Sequence, residues 1–229
     1  KGKQLDQLTE VKLSWMTNFP YYFIKKKSCL KKRKPPLLIM LHGYGSNEKD
    51  LFSFSGALPD QYTIVSLRAP INIGMGFAWY DISFDQKGNK IYDRETAIKT
   101  RNSLTNFINI LHEELQTDPF SVTLMGFSQG AILSNAIALT NPSGIKNVIC
   151  LSGGVDKEII ELNKKNLKSL SFYFSHGTND IVLPYVQVKN SLEFLKINNI
   201  NFKFESYPIG HGVSSDNFKS MLKWLNEHS

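Results

Sequence analysis

Residues 121–139 read SVTLMGFSQGAILSNAIAL. The apolar, β-branched run Val122 to Met125 leads into Gly126-Phe127-Ser128-Gln129-Gly130, and from Ala131 the chain turns to Ala, Ile and Leu at helical spacing. A strand, a sharp turn and a buried helix in that order predict a nucleophile elbow. Ser128 at its apex is the candidate nucleophile, because a tight turn that pushes a serine Oγ out of the backbone surface leaves room only for small neighbours, here glycine two before and two after. The helix that starts at Gln129 points its unpaired N–H groups and positive dipole end at the same place, where an oxyanion could be held.

Outward from the elbow, strand-like and helix-like runs alternate. Upstream, residues 21–25 read as a short strand, and 37–41 after Pro35-Pro36 as a central strand, apolar throughout and so expected to be covered on both faces. The loop His42-Gly43-Tyr44-Gly45-Ser46 follows, then a helix around 49–57, a strand at 63–67 and a loop over 71–89 rich in apolar side chains. Helical spacing over 94–115 behind the capping candidate Asp93 predicts a long crossover helix. Downstream come strands at 148–151, 172–174 and 202–207. A polar short helix is expected at 157–166, a helix started by Pro184, and a terminal amphipathic helix through Phe218, Met221, Leu222 and Leu225. This order predicts an α/β fold with a mostly parallel central sheet and helices on both faces.

The 229 residues, 41% of them hydrophobic, suit a single domain over 1–229, with 1–20 as a poorly ordered lead-in of no assigned function. Two cysteines, Cys29 and Cys150, make neither a disulfide framework nor a metal-type pair, and a reducing, cytoplasmic setting is expected. No apolar run approaches twenty residues and no signal peptide is seen, so stable membrane insertion is not expected; the missing initiator Met suggests a processed N-terminus. The net charge of +7 has a local origin. Lys25, Lys26, Lys27, Lys31, Lys32, Arg33 and Lys34 supply seven basic groups, and the remaining 20 balance the 20 acidic residues. Such a block between two strands reads as a solvated loop rather than a phosphate or anionic-lipid patch, and nucleic acid is not an expected partner.

A serine nucleophile needs a base and a carboxylate that holds the base in its productive tautomer. Of the five histidines, His112 within the long helix and His228 near the C-terminus read as solvated surface residues, and His42 and His176 as hydrogen-bonding groups that shape loops. His211, between the last strand and the last helix, is the base candidate. Two aspartates fit the chain order serine, acid, histidine: Asp156, which reads as a helix cap, and Asp180, in a glycine-containing loop closed by Pro184. No His pair at i, i+4 and no HExxH motif occurs, so no metal and no cofactor are expected.

The ordered set LHGYG (41–45), RAP (68–70), AWYD (78–81), GFSQG (126–130), HGTND (176–180), LP (183–184) and GH (210–211) resembles the phospholipase/carboxylesterase family of α/β-hydrolases, which includes acyl-protein thioesterases. The resemblance runs from Leu37 to the C-terminus. It implies Ser128, Asp180 and His211 as a triad, an oxyanion hole from the backbone N–H groups of Tyr44 and Gln129, and Phe77, Trp79 and Leu183 beside the acyl groove. The implied partner is a small-molecule ester or thioester, and a homodimer is compatible with it. Ala131, Ile181 and Tyr44 depart from residues common in the family, which leaves pocket shape open, and with it the choice among small-ester carboxylesterase, lysophospholipase and acyl-protein thioesterase. A rival of another class is an α/β-hydrolase scaffold that only binds ligand, although such proteins typically lose a catalytic residue and here all three candidates are present.

Overall fold

The computed structural model of the chain describes residues 11–12, 21–30, 34–88 and 90–229. Most of the predicted lead-in and residues 31–33 of the basic run lie outside them. The main sheet has eight strands: β1 (Val11–Lys12), β2 (Tyr22–Lys26), β3 (Leu37–Leu41), β4 (Thr63–Leu67), β5 (Val122–Phe127), β6 (Ile145–Leu151), β7 (Ser171–Gly177) and β8 (Asn201–Tyr207). Their order across the sheet is β1-β2-β4-β3-β5-β6-β7-β8. From β4 to β8 every pairing is parallel, while β2 pairs antiparallel with both β1 and β4. The predicted α/β class with a mostly parallel sheet is therefore the observed one.

The apolar run of β3 works as a two-sided strand. Leu37, Ile39 and Leu41 enter one core with Phe107, Leu111 and Leu124, while Leu38 and Met40 enter the opposite core with Met125, Tyr173 and Trp224. This period of two puts helices α2 (Arg94–Leu115), α3 (Gln129–Thr140) and α4 (Tyr185–Ile197) on one face, and α1 (Lys49–Phe52) and α5 (Ser215–Glu227) on the other. Asp93 caps α2, its carboxylate accepting from the Thr96 N–H at 3.0 Å and the Thr96 hydroxyl at 2.6 Å. Ser214 does the same for α5 through the Asn217 N–H.

Three local expectations change. The helix expected around 49–57 is α only over its first four residues and continues as hydrogen-bonded turns. The helix expected at 157–166 shrinks to a single 3₁₀ turn, Lys157–Ile159. The loop expected over 71–89 contains one small antiparallel pair, Ile71–Asn72 with Phe77–Ala78, and the first strand of a second, Ile82–Phe84, which pairs with Lys90–Tyr92 just beyond it.

The exposed placement predicted for His112 is also corrected. It is buried, its Nδ1 bonded to the Thr117 hydroxyl at 2.8 Å, and burial pushes its pKa down. His228 is half-buried, donates from Nδ1 to the Trp224 carbonyl and stacks on the Trp224 ring at 4.3 Å. No helix among the described residues is long and apolar enough to cross a membrane.

Candidate active site

The elbow sits where β5 meets α3. Ser128 adopts φ 52° and ψ −116°, a conformation costly for any residue with a Cβ, and it is held there because the Ser128 N–H donates to the Leu151 carbonyl at 2.9 Å. The flanking glycines have a steric cause. A Cβ on Gly126 would lie 2.4 Å from the Gly130 carbonyl carbon, and one on Gly130 would lie 2.0 Å from the Leu41 carbonyl oxygen. Helix α3 thus packs against β3 and β5 backbone to backbone, which is what turns Ser128 outward.

Two loops at the C-terminal edge of the sheet face that serine. The turn after β7 carries Asp180 and the loop after β8 carries His211, and the two are stitched together by the Thr178 N–H on the Tyr207 carbonyl (2.8 Å) and the Asn179 N–H on the Ile209 carbonyl (3.1 Å). Asp180 Oδ1 accepts from the N–H groups of Val182 and Leu183, both at 2.9 Å. Its Oδ2 accepts from His211 Nδ1 at 2.7 Å. Because a carboxylate only accepts, that contact places the imidazole hydrogen on Nδ1 and leaves Nε2 with its lone pair toward the Ser128 hydroxyl, 2.9 Å away. Asp156, the other carboxylate that fitted the chain order, instead caps the 3₁₀ turn by accepting from the Glu158 N–H.

His42 and His176 tie loops together. His42 Nδ1–H donates to the Gly43 carbonyl (2.7 Å) and its Nε2 accepts from the Ala69 N–H (3.1 Å), a neutral tautomer that burial favours by pushing the pKa down. His176 Nε2 donates to the Leu183 carbonyl at 2.8 Å and lies 3.3 Å from Asp180 Oδ2. The RAP segment adds a bidentate pair, Arg68 Nε and Nη2 each 2.6 Å from a carboxylate oxygen of the buried Glu48. Burial alone would raise the Glu48 carboxyl, but the Arg68 bonds bring it below its ordinary value.

In front of Ser128 lies a cavity of about 270 Å³. Its lining includes Tyr44, Phe127, Gln129 and His211 together with the mostly apolar Tyr80, Ile82, Phe84, Tyr92, Ile132 and Leu183. Of the three residues expected beside an acyl groove, Leu183 is there and two are not. Trp79 is fully buried, its indole N–H donating to the His42 carbonyl at 2.8 Å and its ring against His42, so it supports the 42–44 loop from behind. Phe77 lies over the Arg68 guanidinium at 4.8 Å and bonds by its backbone to Gly45 and Ser46.

The side chain of Gln129 was not singled out by the sequence and has a marked position. Its Oε1 accepts from the Trp79 N–H (2.9 Å) and its Nε2 donates to the Tyr80 carbonyl (2.7 Å), a buried clamp between elbow and cavity wall. A glutamine next to the nucleophile was the available signal, but its partners lie about fifty positions away. Among the described residues no three His, Cys, Asp or Glu side chains converge as a metal cluster.

An eight-stranded, mostly parallel sheet with a serine elbow and a Ser-His-Asp relay at its C-terminal edge is the architecture of an α/β-hydrolase. The sequence profile described as Phospholipase/Carboxylesterase matches residues 25–229, so the chain belongs to that family and is a hydrolase of the carboxylesterase type. A probable carboxylesterase SOBER1-like protein of Arabidopsis thaliana is 25% identical over 98% of this chain and 94% of its own length. Acyl-protein thioesterase 1 of Candida albicans is 28% identical over 82% of this chain and 90% of its own. Among solved structures, a Bacillus cereus carboxylesterase superposes with a TM-score of 0.83 at 20% identity, covering 95% of this chain and 99% of that one, a likeness of fold.

Proposed function

We propose that the chain hydrolyses carboxylic esters, and thioesters, of short to medium acyl chains through an acyl-enzyme on Ser128. The observation that carries this reading is the relay from Ser128 Oγ to His211 Nε2 (2.9 Å) and from His211 Nδ1 to Asp180 Oδ2 (2.7 Å), at the apex of a strained turn. His211 takes the serine proton as Oγ attacks the acyl carbon, and Asp180 stays ionised beside the imidazolium. The oxyanion is assigned to the backbone N–H groups of Tyr44 and Gln129. Gln129 opens α3, so its N–H has no partner within the helix. His211 then gives its proton to the leaving alkoxide or thiolate, and later takes one from the water that attacks the acyl-enzyme and releases the acid.

The apolar wall of the 270 Å³ cavity supports an acyl group of modest length, and the thioesterases among the relatives support thiol as well as alcohol leaving groups. The test is a panel of p-nitrophenyl esters from acetate to palmitate without added metal. Turnover is expected for the shorter chains, with Ser128→Ala folded and inactive. Turnover retained by a folded Ser128→Ala protein would remove Ser128 from the reaction.

A further inference from the structure

Two buried histidines support the loops around Ser128, and they differ in one respect. His42 uses both ring nitrogens, on the Gly43 carbonyl and the Ala69 N–H. His176, at the end of β7 and 1% exposed, uses one. Its Nε2–H donates to the Leu183 carbonyl at 2.8 Å, and its Nδ1 is buried with no partner among the described residues. We infer that His176 is a positioning residue of the hydrolysis, which keeps the Asp180 carboxylate aimed at His211 by holding the Leu183 peptide from behind. The inference rests on the ester-hydrolase reading above and deepens it.

An unpartnered buried nitrogen is a cost that an apolar side chain would avoid, so the value of a histidine here lies in its other nitrogen. Asp180 shows what that nitrogen supports. The N–H groups of Val182 and Leu183 align its Oδ1, both at 2.9 Å, and this leaves Oδ2 toward His211 Nδ1 at 2.7 Å. Those two donors are only as fixed as the segment that carries them. Thr178 and Asn179 are bonded to the chain beyond β8, but past Asp180 that support ends. Ile181 is 91% exposed, the Val182 carbonyl is held at the surface by the Lys90 ammonium at 3.0 Å, and Pro184 has no N–H to give. Among the described residues, the bond from His176 is the buried hydrogen bond that ties the Val182-Leu183 segment to the sheet.

The strand end that carries His176 is itself fixed. A Cβ on Gly177 would lie 2.2 Å from the Gly210 carbonyl oxygen, so β7 packs backbone to backbone against the loop of His211. One imidazole thereby links base and acid: its strand is locked to the base loop, and its Nε2–H to the acid loop. His176 Nε2 also lies 3.3 Å from Asp180 Oδ2. Its hydrogen goes to the Leu183 carbonyl, and Nδ1 has no acceptor for a second one, so the ring puts no rival cation beside the carboxylate that His211 needs.

The experiment compares His176→Leu, which removes the donor, with His176→Gln, whose amide nitrogen stands as many bonds from the backbone as Nε2. His176→Asn, one bond shorter, takes the place of the Leu variant where that fails to fold. The readouts are kcat and KM for p-nitrophenyl acetate, and ¹⁵N NMR of histidine-labelled protein, which shows which ring nitrogen of His211 carries the hydrogen. His176→Leu is expected to lose about 10² in kcat, the order of misplacing a catalytic group by an ångström, with KM little changed and His211 spread over both neutral tautomers. His176→Gln is expected to recover most of the turnover and the single Nδ1–H tautomer. Four results each overturn the inference and leave the esterase reading standing: wild-type kcat in a folded Leu or Asn protein, a change confined to KM, a loss that Gln does not repair, or a loss with His211 still wholly in the Nδ1–H form. A wild type inactive on the ester overturns the esterase reading, and the His211 tautomer in the variants then still decides whether His176 positions Asp180.

Discussion

The elbow and the excursion from Ile71 to Tyr92 face each other across the same cavity and are built on opposite terms. At the elbow, backbone meets backbone, and the spaces beside Gly126 and Gly130 admit no further atom. The excursion is two short hairpins whose side chains include Met75 at 90% exposure, Phe84 at 63% and Ile91 at 50%. The difference separates two surroundings: the elbow is fixed by backbone contacts that leave no room for a side chain, and the excursion contributes to the cavity wall both the buried Tyr80 and the exposed Phe84. Gln129 joins the two regions, with its backbone in the elbow helix and its amide bonded to Trp79 and Tyr80.

The largest expected effect tests which carboxylate belongs to the rigid region. Asp180→Asn removes the acceptor that holds His211 in its productive tautomer, and turnover of a short ester should fall by about 10⁴, the order seen when a triad aspartate is amidated. Asp156→Asn, which alters only a turn cap, should cost a few-fold at most. The reverse ranking in two folded proteins would reassign the acid. Next in size, Gly130→Val places a side chain into the Leu41 carbonyl and should lower unfolding free energy by about 4 kcal/mol or more, whereas a substitution at Met75 should stay within about 0.5 kcal/mol. Denaturant titration reads both, and equal losses would break the contrast between the regions.

These contrasts were unevenly legible in the sequence. β3, β5 and α3 declare themselves because a strand buried on both faces is apolar throughout and its turn residues are sterically dictated. Asp93, Asp156 and Pro184 likewise mark the starts of their elements by local chemistry. What stayed hidden depends on distant partners. Trp79 looks like a pocket aromatic until the His42 carbonyl is found behind it, and His112 looks like a surface residue until the helix end closes over it at Thr117. The hairpins of the excursion pair strands of only two or three residues, too short for alternation to register.

Two smaller effects sharpen the account. Gln129→Ala leaves the Trp79 N–H and the Tyr80 carbonyl buried without partners and should cost about 2 kcal/mol of stability. It should also raise KM for the longer esters more than for acetate, because the wall moves relative to the elbow; a uniform change would deny the clamp that role. The smallest effect is on pH. Burial alone would raise the Glu205 carboxyl, but hydrogen bonds from Ser220, Tyr207, Lys203 and Tyr173 outweigh it and hold the pKa at about 2, against an ordinary 4.5. A depressed folded-state value means that this contribution is complete above pH 4.5 and is lost as pH falls from there toward 2. Glu205→Gln should therefore flatten the acid limb of the stability profile in that window, and an unchanged limb would show that the network contributes nothing.

The central claim is that Ser128 forms the covalent intermediate, and the most direct measurement is intact-mass and peptide-mapping analysis after incubation with a fluorophosphonate ester, which phosphonylates an activated serine. The account predicts one adduct per chain, mapped to Ser128, absent in Ser128→Ala and formed far more slowly in Asp180→Asn. A single adduct on any other residue, or labelling that persists at full rate in Ser128→Ala, would contradict it.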